Sequence, residues 1–189
     1  MRVINSYGVL GWLSVVCAFF AYQVVYVVST SVLGKLLGVA TETASVGFGP
    51  KILSWRSWGA EWRLCGIPTG GYTKWAPDDL AQATVPTRAL LLLCGPLANL
   101  MLGRGLLTIA GTAGHYATLI ETLGKMGLIL GVFNLLPLPP QSGGLLVILL
   151  VEAARGKELT LRVKSTLLKV GFFATWIVFF YGLRWLART

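Results

Sequence analysis

Two stretches of this chain run without a single charged residue for longer than a bilayer is thick: Val3 to Gly34 and Met126 to Val151. A helix rises about 1.5 Å per residue, so about 20 apolar residues cross the roughly 30 Å hydrocarbon core. Lipid offers no hydrogen bonds to the backbone, so such runs must be helices, broken only where the break is buried in protein or wet. Two further spans are expected near Arg88–Thr112 and Val170–Leu183. Composition agrees, since 55% of the 189 residues are hydrophobic, above the soluble average of about 45–50%. The first run is too long for the apolar region of a signal peptide and has no small-residue cleavage pattern before Lys35, so it is read as a retained helix.

The net charge of +9 does not point to nucleic acid, because the cations flank the hydrophobic runs instead of forming one soluble patch. Lys35, Lys51, Arg56, Arg63, Lys74 and Arg88 lie between the first two spans, and Arg155, Lys157, Arg162 and Lys164 between the last two. The positive-inside rule then places both loops in the cytoplasm, of a bacterial inner membrane; Arg2, Arg184 and Arg188 at the opposite ends weaken this bias. Cys17, Cys65 and Cys94 lack metal-ligand or C-x-x-C spacing and are read as isolated buried thiols.

Residues 40–75 differ from the spans, with short β-favouring runs, many glycines and four tryptophans. Two short strands joined near Ser57–Gly59 are expected, lying in the interface, in a wet cavity or against helices, because a free strand edge cannot face lipid. Asp78 and Asp79 are expected to cap a short helical turn in the polar linker that follows. Gly95-Pro96 should bend or break the second span, and Pro137, Pro139, Pro140 and Gly143-Gly144 should break the third at mid-membrane depth. Gly127 and Gly131 have the spacing that lets helices approach closely, most simply for internal packing. The fold expected is an α-helical integral membrane protein in one domain, 1–189. It has helix 1 at about 8–34, a re-entrant or interfacial β-hairpin at 40–75 and helix 2 at about 88–112. A broken helix 3 follows at about 118–152 and helix 4 at about 165–187.

Three separated stretches carry a family resemblance. "GVATETASVGFGPKIL" followed by "WRLCGIPTGGYTKW" is similar to a G-V-x-V-x-x-F-x-I-G-F-G-P strand and an I-P-L-G-G-Y-V-K hairpin. "CGPLANLMLG" is similar to an A-G-P-x-A-N helix, and "FNLLPLPPQSGG" to N-L-L-P-x-P-P-L-D-G-G. In this order and spacing they resemble the site-2 protease family of intramembrane zinc metalloproteases. In that family H-E-x-x-H on the first helix supplies two zinc ligands and a general base, and the Asp of L-D-G the third ligand. Counting back without a gap from Gly38-Val39 and from Gly47-Phe48-Gly49 places that motif at Tyr26, Val27, Val28, Ser29 and Thr30. Both histidine places and the glutamate place are altered, and Ser142 stands at the place of the aspartate.

Phenol and hydroxyl groups are poor zinc ligands at neutral pH, and the one histidine, His115, falls in the short Gly111–Ala117 connection. The departures from the family pattern therefore imply no catalytic residue, no metal and no cofactor. The expectation is a catalytically inactive relative, not an enzyme, that serves as a binding, scaffold or assembly subunit of a larger membrane complex. Its implied client-binding residues are Asn99, Asn134, Pro137, Pro139, Pro140 and Gln141 from the helices and Gly70, Gly71 and Tyr72 from the hairpin. Its implied partners are transmembrane helices of other subunits or of a client, and membrane lipid. The competing readings are a protease with a non-standard or partner-supplied site, and a small transport or lipid-handling protein marked by its broken helix.

Overall fold

The computed structural model describes residues 8–186. Arg2 and Arg188, which bear on orientation, lie outside the described residues. The first apolar run forms helix α1, Gly8–Leu36, closed by Lys35 in its last turn and by Gly38 in a left-handed conformation (φ 74°). Strands β1, Thr41–Ser57, and β2, Ala60–Trp75, follow. A short α2, Pro77–Gln82, leads to α3, Val85–Ala110. A single 3-10 turn, Gly114–Tyr116, leads into α4, Ala117–Asn134. The remaining helices are α5, Ser142–Arg155, and α6, Leu161–Leu186.

The expected class is present, apolar helices with a β-hairpin after the first, although four spans were expected and three helices among the described residues are long and apolar enough to cross. Val16–Leu36, Val85–Ala110 and Gly114–Asn134 are each long and apolar enough to cross a bilayer. The third expected span is interrupted as the prolines require, with residues 135–141 non-helical between α4 and α5. The expected fourth helix is α6, which carries Lys164, Lys169 and Arg184 along its length.

The hairpin turns at Trp58–Gly59, where both residues have positive φ (55° and 82°), the backbone of a type I′ turn. The strands are long rather than short, 17 and 16 residues, because each bends and is used twice. Thr43–Val46 face residues 71–74 in one register and Glu61–Leu64 in another, while Leu53–Arg56 also face Glu61–Leu64. Residues 71–74 have a sheet partner on one side alone. Beneath the bent hairpin lies the core cluster of Val27, Ala44, Val46, Ala60 and Trp62.

One local expectation is narrowed and two are corrected. Of the bend or break expected at Pro96, the break is absent, since α3 stays helical through it; Pro96 is buried, and its carbonyl lies where Gly131 of α4 brings that helix close. Neighbouring helices brace a proline in the membrane, so a continuous helix survives. The N-cap of α2 is Ala76, with Pro77 opening the helix; Asp78 and Asp79 sit in its first turn, and Asp79 accepts from the Ala40 N–H at 2.9 Å, pinning linker to strand. Cys17 is exposed and Cys94 half-buried, so only Cys65 is a buried thiol.

The glycine spacing of α4 serves internal packing. A Cβ on Gly127 would meet the Tyr22 ring, one on Gly131 Leu100, and one on Gly103 the backbone of Gly124 and Leu128.

Candidate functional site

The five residues that sequence counting aligns with the protease motif form one turn of α1, and the structure seats that turn at the centre of the molecule. The Tyr26 ring lies against Gly95 of α3, where any side chain would collide with it. Its hydroxyl reaches Ser142 Oγ at the start of α5, 2.7 Å away and 116 residues on in the chain. Val27, at the glutamate place, is fully buried in the core, and its methyl sits where a Cβ on Gly71 would be. Thr30 donates within the helix to the Tyr26 and Val27 carbonyls, and its hydroxyl lies 2.7 Å from that of Thr73 in β2. Cys94 Sγ donates to the Ser29 carbonyl from α3 at 3.4 Å.

Tyr26 meets Ser142, and Thr30 meets Thr73. These are two separate hydroxyl pairs, the first tying α1 to α5 and the second tying it to the hairpin. The reason is burial: Thr30 and Ser142 are 1% and 3% exposed, and a buried hydroxyl without a partner costs about 1–3 kcal/mol. This donor set does not fit zinc. Each hydroxyl is engaged with a protein partner, Val27 offers no ligand atom, and no group of three His, Cys, Asp or Glu comes together among the described residues.

The expected client-binding residues divide. Asn99 sits one turn beyond Gly95 on α3, fully buried, with both amide atoms lacking a protein partner. Gly71 packs on α1 at Val27 and close to the Gln23 amide oxygen, Gly70 packs on the Phe48 ring, and Tyr72 stacks on Phe48 with ring centroids 6.0 Å apart. Asn134 donates to the Leu130 carbonyl of its own helix. Pro137 and Pro140 are exposed, while Pro139 packs against Gly144 of α5 and Gly171 of α6; the Pro139–Pro140 peptide is cis. Gln141 is half-buried at the N-cap of α5 and makes no cap bond.

Thr73 and Gly95 were missed. The signal for Thr73 was its departure from the valine of the family's G-G-Y-V-K hairpin, a polar residue opposite an equally unusual threonine at position 30.

Comparison with known proteins now decides the lineage. The family model for Peptidase family M50 matches residues 31–116 and 110–178, most of the chain. The chain belongs to Peptidase family M50. Among solved structures, the site-2 protease from Methanocaldococcus jannaschii superposes with a TM-score of 0.60 at 22% identity, covering 93% of this chain and 69% of that one. Its fold is thus the M50 fold, and the chain is an integral membrane protein of that family. Metalloprotease MmpA of Caulobacter vibrioides is 47% identical over 53 residues, 28% of this chain and 13% of that protein. A candidate zinc metalloprotease of Clostridium acetobutylicum is 27% identical over 128 residues, 62% of this chain and 37% of that protein. The chain thus spans well under two thirds of the curated M50 proteins it matches.

These relatives overturn one expectation. The altered motif suggested a chain that is not an enzyme, yet the family is a peptidase family and the matched relatives are named metalloproteases. Altered side chains at four positions remove one way to hold a metal, which is a statement about those four positions and not about the activity of the protein that contains them.

Proposed function

We propose that this M50 protein acts in intramembrane proteolysis by seating an extended segment of a client polypeptide beside the α1 motif turn. The observation that carries this reading is the free outer edge of residues 71–74, held to the motif turn by the Gly71–Val27 contact and the Thr30–Thr73 hydrogen bond. An unpaired edge offers backbone donors and acceptors in a row, the requirement for binding an extended peptide by strand addition.

The client in this proposal is a transmembrane segment of another membrane protein, and the chain works as a subunit with it in a bacterial inner membrane, hairpin on the cytoplasmic side. Metal-dependent hydrolysis needs ligands beyond those at positions 26, 27, 30 and 142, so a second chain supplying them belongs to this reading. The experiment is co-reconstitution with a single-span client in lipid vesicles, with binding read by energy transfer and cleavage by mass spectrometry of the client. Saturable binding that an unlabelled client displaces is expected. A client that shows no saturable transfer contradicts the proposal.

A further inference from the structure

A second feature of the fold begins where the motif turn ends, at Ser31 of α1. Where α1 leaves the apolar region, its last turns, the start of β1 and the hairpin turn enclose a cavity of about 260 Å³. That is below the roughly 300–1,000 Å³ of pockets for drug-sized ligands, and it suits a small polar group. Its walls include Ser31, Lys35, Thr41, Trp58 and Trp62.

Ser31 is 5% exposed, and its hydroxyl has no hydrogen-bond partner in the protein. The buried Thr41 hydroxyl is also without one. Ser31 and Thr41 both line the cavity, and each carries a hydroxyl without a protein partner where native buried hydroxyls are otherwise satisfied. Lys35 is the one charged side chain in the lining, and it forms no ion pair among the described residues. Its ammonium lies 5.8 Å from the centre of the Trp58 ring. Trp58 is held there by a left-handed backbone conformation that bulky residues rarely adopt. Of the acids flanking the lining residues, Glu42 is paired with Lys74 and Glu61 with Lys51 and Arg63, while Asp79 accepts from the N–H of Ala40. At the end of α1 the Leu33 carbonyl accepts from Leu37, that of Gly34 from Leu37 and Val39, and that of Lys35 from Gly38, which leaves fewer bare carbonyls to repel an anion.

We propose that this cavity binds a phosphate group, with Lys35 as counter-charge, Ser31 and Thr41 as donors and Trp58 as a side wall. Its place at the end of a membrane-crossing helix, between tryptophans that favour the interface, makes the phosphodiester headgroup of an anionic lipid the source. The site is independent of the client reading above.

The test is native mass spectrometry of the whole protein in detergent, titrated with phosphatidylglycerol. Wild type retains one lipid per chain. Lys35→Met weakens retention roughly fivefold or more, the scale of one lysine near an anionic surface. Lys51→Met, which removes a hairpin cation already paired with Glu61, leaves retention unchanged. Trp58→Gly, which relieves the backbone conformation and so keeps the turn, also weakens it. Displacement of the lipid by millimolar inorganic phosphate supports the phosphate site and names a free anion as a competing source; retention against phosphate keeps the lipid as the ligand. Equal losses in Lys35→Met and Lys51→Met, or no loss in Lys35→Met and Trp58→Gly, would overturn the proposal.

Discussion

At the scale of single residues, two hydroxyl pairs, Tyr26–Ser142 and Thr30–Thr73, fasten the motif turn to α5 and to the hairpin. Hydrogen bonds between membrane helices average about 0.6 kcal/mol, with measured maxima near 1.7. Tyr26→Phe should therefore destabilise the protein by about 1 kcal/mol, read as a shift in unfolding midpoint in a denaturing detergent. In a double-mutant cycle with Ser142→Ala, a coupling of about 0.5–1.7 kcal/mol is expected, and zero coupling would show that the 2.7 Å contact carries no energy. Gly95→Ala should cost about 1–3 kcal/mol by driving a methyl into the Tyr26 ring, whereas Gly105→Ala in the same helix meets nothing within 4 Å and should be neutral or stabilising. The positions of Tyr26 and Ser142 were legible in the sequence through motif spacing. Their mutual bond was not, because a 116-residue separation is closed by tertiary packing that no local pattern encodes.

Among the elements, the hairpin carries stability that responds to pH. Glu61 sits between Arg63 and Lys51, and its bonds to them hold its carboxyl down at about 2. A carboxylate depressed on folding lends stability that is fully present above its unfolded value of roughly 4.5 and lost as pH falls towards about 2. Tryptophan fluorescence between pH 5 and 2 should show the hairpin loosening in that window, and Glu61→Gln should flatten the profile there; an unchanged profile would remove Glu61 from the account. The turn at Ser57–Gly59 was readable, since glycine amid β-favouring runs marks it. The doubled use of the strands was not, because register depends on which faces the core of Val27 and Trp62 buries. The continuity of α3 through Pro96 escaped for a related reason, as local propensity predicts a break that packing against α4 prevents.

For the whole molecule, apolar helices with a hairpin after the first and a break after Asn134 were legible from hydrophobic runs and proline placement, although four spans were expected and three described helices are long and apolar enough to cross. The family frame was legible from three motifs in order. Activity was not legible from the same residues, since the altered ligands suggested a non-enzyme while the protein's relatives are named metalloproteases. What links frame to function in the proposal is the free edge of residues 71–74, fastened beside the motif turn. That edge predicts where a client lies. A photoreactive residue replacing Tyr72, 37% exposed beside the free edge, should crosslink to a co-reconstituted single-span client, while the same residue replacing Ile129, 65% exposed on α4, should crosslink mainly to lipid. The measurement that tests the central claim is this pair of crosslinks mapped by mass spectrometry. The account predicts client attached at position 72 and competed away by unlabelled client; client attached equally at both positions, or at neither, would contradict it.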